Sequence, residues 1–392
     1  MVIYLDNAAT SPTRPEVVKA MAPFWGANYG NPGSLHAKGF EARGALDKAR
    51  ETVAKIIGAA PSEIIFTGSG TESDNLALFG FCRANKQKGN HIITQKTEHH
   101  AVLDSCKALE KEGFVVTYLD VDKHGLIDAK KLENAINPNT ILITIMYANN
   151  EIGTVQNVKE LAEAAHKHNI IFHTDACQAG GALDVNVLQL QADMMTLNGS
   201  KIYGPKGTGM LFVRSGIKIQ PIIYGGGQEN GFRSGTENTA GIVGFATALE
   251  LAQKERAKEG KRLVGLRDYL IKKTLKEIPR AYLNGHPAQR LPNNANFTIL
   301  GVEGESMILR LNEKGICAST GSACTSRSLE PSHVLQAIGL PKEVAHGSVR
   351  FSLGKSTTKK DVDYTVKELG KIVEELRKIS PVRMNEKVMR GR

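Results

Sequence analysis

Three side chains of the kinds that enzymes use in catalysis stand where apolar stretches of the sequence end. Asp175 follows "IIFHT", Lys201 follows "MMTLNGS", and His99 follows "HIITQKTE". A carboxylate at the end of a buried strand is costly unless it is paired, and the protonated ring nitrogen of pyridoxal phosphate (PLP) is one such partner. A lysine held nearby could form a Schiff base, and one of the two adjacent histidines, His99 or His100, could stack on the ring and carry a proton. The alternatives are an aspartate that caps a loop, two surface lysines (Lys201 and Lys206) and a structural histidine.

Two further motifs suit anionic ligands. In "FTGSGTESDNLAL", Gly70 and Thr71 stand between a strand and a helix, where backbone N–H groups can bind a phosphate. No Gly-Lys-Ser/Thr follows, so this is not a Walker motif; the alternative is an ordinary helix start with Thr71 as N-cap and Asp74 at the third position. In "GSVRFSLG", Arg350 could hold a substrate carboxylate with two parallel hydrogen bonds, or form a surface ion pair.

The cysteines point to one reactive thiol. None of their spacings resembles a zinc site or a disulfide framework, so no metal site is predicted; they are Cys82, Cys106, Cys177, Cys317 and Cys324. The first three are expected to be buried and inert, with Cys177 beside the suspected chemistry, and Cys317 lies in the apolar "GICAS" strand. Cys324 differs because it lies in "TGSACTSRS", among small residues without apolar periodicity. Its thiol would need help to ionise, and the candidate helpers are Arg327, His333 and His99.

Composition excludes several classes of protein. The chain has 392 residues, 41% of them hydrophobic, and no apolar run reaches the ~20 residues that cross a bilayer. The N-terminal "MVIYLDNAATSP" lacks the basic and apolar regions of a secretion signal, which predicts a cytoplasmic protein. The net charge of +10 is spread along the chain without a nucleic-acid motif, so direct nucleic-acid binding is not expected.

Strands and helices alternate between about residues 62 and 215, where runs such as "EIIFTG", "HIITQ" and "ILITIMY" are separated by amphipathic segments. This alternation predicts an α/β fold with a mostly parallel sheet covered on both faces. A helical pattern over about 237–278 is followed by shorter strands and a closing helix. We predict a large domain over 13–257 and a smaller α+β domain formed by 1–12 and 258–392.

The order of the elements predicts where the polar residues meet. In parallel sheets, ligands bind at the carboxyl ends of the strands. The residues that follow such strands should therefore converge on one site; they are Thr71, His99, Asn150, Asp175 and Lys201.

Ten motifs, in order along almost the whole chain, resemble those of the class V, fold-type I PLP enzymes, and more narrowly the cysteine desulfurases of the NifS/IscS type. They are "YLDNAATSP", "NYGNPGSLHAKG", "FTGSGTESDNLAL", "TEHHAVLDSC", "ANNEIGTVQ", "HTDACQAGG", "KIYGPKGTG", "GGGQENGFRSGTEN", "GSACTS" and "GSVRFSLG". "GSACTS" is the most specific, because it resembles the group whose nucleophilic cysteine lies on a longer loop. The resemblance implies a seven-stranded, mostly parallel sheet between helices, a smaller α+β domain, and a homodimer.

The resemblance also implies roles for individual residues. Lys201 would bind PLP as a Schiff base, Asp175 would pair with the ring nitrogen, and His99 would stack on the ring and transfer protons. Cys324 would accept the sulfur. Asn150 and Gln178 would contact the ring oxygen. Gly70 and Thr71 would bind the phosphate, together with Thr236 of the second subunit. Arg350, with Asn7 or Asn150, would hold the substrate carboxylate.

One motif departs from the family pattern. Where the family has Ser-x-His-Lys, this chain has Asn198-Gly199-Ser200-Lys201. Ser200 and Asn198 could still donate hydrogen bonds to the phosphate, but a serine replaces neither the size nor the charge of a histidine. PLP is therefore expected to bind more weakly, or with its phosphate held differently.

The implied activity is conversion of L-cysteine to L-alanine, with the sulfur left as a persulfide on Cys324. The sulfur would pass to an acceptor protein, either an iron–sulfur scaffold or a tRNA-thiolation protein, and Cys324 could ligate an iron–sulfur cluster together with a scaffold. The alternatives are a selenocysteine lyase or aminotransferase of the same class, or a catalytically impaired scaffold, which the departure at Ser200 would suggest.

Overall fold

The computed structural model describes residues 2–321 and 331–379. Cys324 and Arg327 lie outside the described residues. The strands and helices, in chain order, are β1 (Ile3–Tyr4), α1 (Pro15–Met21), α2 (Ala37–Ile57), β2 (Ile64–Thr67), α3 (Gly70–Asn75), α4 (Phe81–Asn85), β3 (His91–Gln95), α5 (His100–Lys111), β4 (Val115–Leu119), α6 (Ala129–Ala135), β5 (Thr140–Thr144), α7 (Val158–His166), β6 (Ile171–Asp175), α8 (Val187–Leu190), β7 (Met194–Asn198), β8 (Gly209–Val213), α9 (Thr239–Glu277), β9 (Ala281–Asn284), β10 (Asn294–Ile299), α10 (Gly304–Glu313), β11 (Ile316–Cys317), α11 (His333–Ala337), α12 (Lys342–Ala345), β12 (Ser348–Ser352) and α13 (Lys359–Ile379).

A seven-stranded sheet forms the centre of the molecule, with the strand order β2-β8-β7-β6-β5-β3-β4. The five strands from β7 to β4 in this order run parallel to one another. β8 is antiparallel to both of its neighbours, β2 and β7. The predicted α/β fold with a mostly parallel, seven-stranded sheet is confirmed.

Alternate residues of the central strands belong to two different apolar clusters. Met195 and Ile143 pack with apolar residues of α2, α7 and α9. Met194 and Leu142 pack with residues of α5 and with the helical segment 70–85. Because side chains alternate across a strand, the two clusters cover opposite faces of the sheet, which explains why these strands carry apolar residues on both faces.

The last third of the described chain contributes a smaller sheet, with the antiparallel order β12-β10-β9. Phe297 of β10 and Phe351 of β12 pack with α10 and α13 in a separate apolar cluster. Leu5 belongs to the same cluster, and β1 pairs with β11 in parallel. The N-terminus therefore packs with residues more than 250 positions away in the sequence.

The helix α9 joins the two regions. Its first half contributes Phe245 and Leu249 to the cluster beside the central sheet, and its second half contributes Leu263 and Leu270 to the cluster of the smaller sheet. The predicted boundary between residues 257 and 258 thus falls within one continuous helix, and the division into two domains stays a prediction. No helix in the described part of the chain is long and apolar enough to cross a membrane.

Candidate active site

One cavity of about 180 Å³ opens at the carboxyl ends of the parallel strands. The structure brings nine of the predicted site residues into its lining, contributed by loops that follow β2, β3, β5, β6 and β7 and by strand β12. These residues are Gly70, Thr71, His99, Asn150, Asp175, Gln178, Asn198, Lys201 and Arg350. The lining also includes Ala8, Ala9, Asp74, Met146 and Cys177.

Asp175, the last residue of β6, is almost fully buried at this cavity. Its Oδ1 accepts a hydrogen bond from the backbone N–H of Cys177 over 2.9 Å. Burial and the neighbouring Asp175 raise the pKa of the Cys177 thiol well above its ordinary value. The raised pKa keeps Cys177 a neutral thiol, but the residue as a whole is only partly buried at the cavity. The prediction that Cys177 is buried was wrong, whereas Cys82 and Cys106 are buried.

A second carboxyl group, Asp74, lies close to Asp175 and was not predicted as a site residue. Burial and the neighbouring Asp175 raise the pKa of Asp74 well above its ordinary value. Its Oδ1 has no hydrogen-bond partner within the residues that the structure describes. The only sequence signal was its position one helical turn after Gly70, which also suits an ordinary helix start.

Below these carboxyl groups lies a buried polar layer that contains a neutral histidine. His173 bonds to Thr144 Oγ1 through Nδ1 at 2.8 Å and to Thr196 Oγ1 through Nε2 at 3.1 Å. Burial lowers the pKa of His173 to about 4, so the ring is uncharged at neutral pH.

Glu98 forms another part of this layer, next to His99. Its Oε1 accepts hydrogen bonds from Gln95 Nε2 at 2.7 Å and from the backbone N–H of Met146 at 2.6 Å. Burial raises the pKa of Glu98 to about 8. Glu98 is therefore mostly neutral near pH 7, and burial favours the neutral form of Asp74 as well.

Lys201 sits in the turn that follows β7, and its side chain reaches the N-terminal segment. Its Nζ donates a hydrogen bond to the carbonyl oxygen of Ala9. The same segment is fixed by Ser11, whose backbone N–H and hydroxyl both donate to the Ser200 carbonyl, at 2.8 and 3.0 Å. Lys206 is exposed, donates to the Ser11 carbonyl at 3.3 Å and does not line the cavity, so Lys201 is the better placed of the two lysines.

The helix start after β2 differs from the predicted alternative. The N-cap of α3 is Ser69, whose hydroxyl accepts from the backbone N–H of Glu72 at 3.1 Å, so Thr71 as the cap was wrong. Thr71 lies inside the helix and is exposed at the cavity. A Cβ atom on Gly70 would lie 2.6 Å from Cys177 Sγ, so only glycine fits there.

Asn198 and Ser200 are bonded to each other. Asn198 Oδ1 accepts from the backbone N–H of Ser200 at 2.8 Å and from its hydroxyl at 3.0 Å, which fixes the turn before Lys201. Asn198 lines the cavity and Ser200 does not. Because the Asn198 oxygen is bonded to Ser200, the Asn198 amide nitrogen, which lies near Gly70, is the hydrogen-bond donor that these two residues present to the cavity.

Arg350 is fully buried in β12. Its Nη1 donates to the Asn150 carbonyl at 2.9 Å, and its Nη2 donates to Asp6 Oδ1 at 2.8 Å. Nε has no acceptor among the described residues. Asn7 donates to the Ser352 carbonyl at 2.9 Å and lines a neighbouring cavity that also touches Lys201 and Gln178.

His99 caps helix α5. Its Nδ1 accepts from the backbone N–H of Ala101 at 3.1 Å, so a neutral ring carries its proton on Nε2. Gln178 Nε2 donates to the Ala8 carbonyl at 3.0 Å. Thr236 is exposed and away from the cavity lining of its own chain, and its predicted role across a dimer stays a prediction.

The donor set suits PLP. One buried carboxylate (Asp175), one lysine (Lys201) and one histidine (His99) face a single cavity, and they match the ring nitrogen, the aldehyde and the ring face of this cofactor. The phosphate would lie near Gly70, where the absence of a Cβ leaves the helix start and the Asn198 amide accessible. The residues present therefore fit the cofactor.

The chain is similar to known proteins over nearly its whole length. The family model "Aminotransferase class-V" matches residues 3–365. A cysteine desulfurase IscS from Dictyoglomus turgidum is 53% identical over 98% of this chain and 98% of its own length. A solved "NifS-like protein" has a TM-score of 0.90 at 37% identity and covers 96% of this chain and 100% of its own. The structure described as "SspA in complex with cysteine" has a TM-score of 0.79 at 38% identity, over 90% of this chain and 98% of its own. The predicted resemblance is confirmed, and the chain belongs to the class-V aminotransferase family and, within it, to the cysteine desulfurases of the IscS type.

Proposed function

We propose that this protein is a PLP-dependent cysteine desulfurase that converts L-cysteine to L-alanine and keeps the sulfur as a persulfide on Cys324. The observation that carries the proposal is the cavity that joins Lys201, Asp175, His99 and Arg350 at one end of the sheet. Supporting it are the IscS relative at 53% identity and a solved relative described as a complex with cysteine.

PLP, when bound, supplies an electron sink that makes the Cα–H bond and then the Cβ–S bond of the substrate breakable. Asp175 is the carboxylate that would keep the ring nitrogen protonated. Lys201 would hold the cofactor and, once displaced by the substrate amine, would take the proton from Cα. His99, whose neutral ring carries its proton on Nε2, would stack on the ring and donate or accept protons there.

The substrate carboxylate is expected to meet Arg350, the buried cation at the cavity. A guanidinium suits a carboxylate because two parallel N–H donors match its two oxygens. Asn150 and Asn7 would complete the contact. Asn150 and Gln178 would also flank the ring oxygen, and Gly70, Thr71 and Asn198 would bind the phosphate, with Thr236 supplied by a second subunit and Ser200 acting through Asn198.

The sulfur transfer balances without an added oxidant or reductant. The thiolate of Cys324 attacks the sulfur of the bound substrate, the new S–S bond forms, and the Cβ–S bond breaks with its electron pair passing to the substrate fragment. That fragment gains a proton on Cβ and leaves as L-alanine. One L-cysteine and one protein thiol therefore give one L-alanine and one persulfide.

The wider setting belongs to the same proposal. The protein would act as a cytoplasmic homodimer with a large domain over 13–257 and a small domain formed by 1–12 and 258–392. It would pass sulfur to an iron–sulfur scaffold or a tRNA-thiolation protein. Cys324 could also ligate a cluster on such a scaffold, since a thiolate is the usual ligand of iron–sulfur clusters.

The test is incubation of the purified protein with PLP and L-cysteine, followed by measurement of alanine, sulfide and the mass of the peptide that contains Cys324. Equal amounts of alanine and sulfur, with the mass of one sulfur atom added to that peptide, are expected. Alanine converted to pyruvate, or activity on selenocysteine alone, would favour an aminotransferase or selenocysteine lyase. A colourless protein that gains no absorbance with PLP would favour a scaffold without catalysis.

A further inference from the structure

The chain on either side of residues 322–330 is fixed against the cavity. On the N-terminal side, Ser319 and Arg350 exchange two backbone hydrogen bonds, of 3.2 and 2.6 Å, and Ser348 Oγ donates to the Thr320 carbonyl at 2.8 Å. On the C-terminal side, His333 Nε2 donates to the Glu98 carbonyl at 2.9 Å. The described residues on both sides of 322–330 are therefore bonded to elements that also carry active-site residues.

One buried carboxyl group, that of Glu151, contacts the described chain on both sides of residues 322–330. Ser332 Oγ donates a hydrogen bond to Glu151 Oε2 over 2.5 Å. A Cβ atom on Gly321 would lie only 2.9 Å from the same oxygen, so the backbone of Gly321 packs closely against the carboxylate. Glu151 is 1% exposed, and a buried carboxylate is costly unless its contacts repay the loss of water.

The backbone of Glu151 is itself held in place. Its N–H donates to Asn149 Oδ1 at 2.9 Å, and its carbonyl accepts from Asn296 Nδ2 at 3.1 Å. The preceding residue, Asn150, lines the cavity and accepts the hydrogen bond from Arg350. The Glu151 side chain thus extends from this hydrogen-bonded turn of the active site toward Gly321 and Ser332.

We propose that Glu151 is a positioning residue for sulfur transfer: it fixes Gly321 and Ser332, which lie on either side of residues 322–330 in the sequence, by a hydrogen bond from Ser332 and close packing against Gly321. Glu151 touches neither substrate nor cofactor in this role. The inference rests on the proposed function, because it assigns the sulfur to Cys324. Binding of PLP and of L-cysteine should not depend on this contact, whereas persulfide formation should.

Four variants test the inference: Glu151→Ala, Ser332→Ala, the double variant and Glu151→Gln. Glu151→Ala should slow persulfide formation on Cys324 about tenfold, the effect of losing one hydrogen bond to a charged group. The cofactor absorbance, and its change on addition of L-cysteine, should stay as in the unmodified protein. Ser332→Ala should slow the same step, and the double variant should be no slower than Glu151→Ala, because both changes remove one contact. Glu151→Gln should recover most of the rate, since its amide oxygen can still accept from Ser332.

The matched controls are Glu303→Ala and Ser306→Ala, which remove an exposed serine–glutamate hydrogen bond of 3.0 Å at the start of α10. They should leave persulfide formation unchanged. Normal persulfide rates in Glu151→Ala and Ser332→Ala would overturn the inference, as would loss of the cofactor absorbance in both. If the unmodified protein forms no persulfide from L-cysteine, the proposed function fails. In that case the positioning role of Glu151 is tested by the rate at which iodoacetamide alkylates Cys324. A rate that changes in Glu151→Ala but not in Ser306→Ala supports the inference. Equal alkylation rates in Glu151→Ala and the unmodified protein overturn it.

Discussion

Arg350 Nη2 donates a hydrogen bond to Asp6 Oδ1 over 2.8 Å, which pairs a cation of β12 with an acid of the N-terminal segment. Nη1 of the same side chain is bonded to the Asn150 carbonyl. The guanidinium is thus oriented from two sides before a substrate arrives. Asp6 also offsets the cost of burying the charge, so Arg350 can serve as a fixed anion-binding group.

The fixed orientation predicts that a lysine cannot replace Arg350. Arg350→Lys keeps the charge but loses the planar pair of donors, so the KM for L-cysteine should rise about tenfold or more, with a smaller change in kcat. Alanine formation at varied L-cysteine concentration measures both constants. Arg377→Lys is the control, because Arg377 bonds to the Leu300 and Pro279 carbonyls away from the cavity and its loss should leave KM unchanged. An unaltered KM in Arg350→Lys would contradict the assignment.

Lys201 and Lys206 are separated by five residues and differ in their contact with the cavity, which gives a matched pair of variants. Lys201→Ala should abolish the absorbance band of the lysine-linked cofactor and lower turnover more than about a hundredfold, the usual effect of removing an acid–base group. Lys206→Ala should keep the band, because its exposed amine bonds only to the Ser11 carbonyl among the described residues. A normal cofactor spectrum in Lys201→Ala would move the attachment elsewhere.

Local sequence patterns were enough to predict most of the central sheet. "HIITQ" and "MMTLN" are strands, and the residues that follow five strands meet at one cavity, because parallel strands bring their carboxyl ends to the same edge. The first sixty residues were not divided into elements, although α2 is 21 residues long. More than half of its buried positions are glycine or alanine, so its apolar face is weakly marked in the sequence, and in the structure this helix packs against α9.

The contacts that tune the cavity could not be predicted, because they join residues far apart in the chain. Arg350 donates a hydrogen bond to Asp6, which is 344 positions away in the sequence, and Ser332 donates to Glu151, which is 181 positions away. The raised pKa values of Asp74 and Glu98 could not be predicted either, because they arise from burial beside groups of other elements. Periodicity predicts which residues are buried in an element, but it does not predict which side chains of different elements touch.

The cysteines should divide sharply in reactivity. With a thiol reductant added to reduce the persulfide, Cys324→Ala should retain the change in cofactor absorbance on addition of L-cysteine but release no sulfide, because the steps before sulfur transfer need no thiol of the protein. Cys317→Ala, seven residues earlier in the sequence, is the control and should release sulfide normally. Sulfide assays and absorbance spectra of both variants test this prediction. Full sulfide release by Cys324→Ala would refute the assignment of Cys324 as the nucleophile.

The three thiols with raised pKa values allow an independent test of cysteine reactivity on the unmodified protein. Burial raises the pKa of Cys82 and of Cys106, and burial with Asp175 raises that of Cys177. Because only the thiolate reacts, iodoacetamide at neutral pH should leave these three cysteines unmodified in the folded protein and alkylate all of them after denaturation. Mass spectrometry of the peptides reads out the result. Rapid alkylation of Cys177 in the folded state would show that the cavity leaves its thiol ionised.

The raised pKa of Glu98 predicts how the free energy of unfolding depends on pH. Burial raises its pKa to about 8 in the folded protein, whereas an unfolded glutamate has a pKa of about 4.3. Between these values the folded state binds the extra proton, so the contribution of Glu98 to stability is greatest below the lower pKa and is lost as the pH rises through about 8.

Glu98→Gln should remove this pH dependence, because the carboxamide resembles the neutral acid and its oxygen can still accept from Gln95 and Met146. Between about pH 6 and about pH 9, the free energy of unfolding of the unmodified protein should fall by about 2 kcal/mol more than that of the variant. Denaturant unfolding at both pH values gives the difference. Glu110→Gln, at an exposed position of α5, is the control and should follow the unmodified protein. Parallel pH profiles of Glu98→Gln and the unmodified protein would mean that Glu98 is already ionised in the folded state.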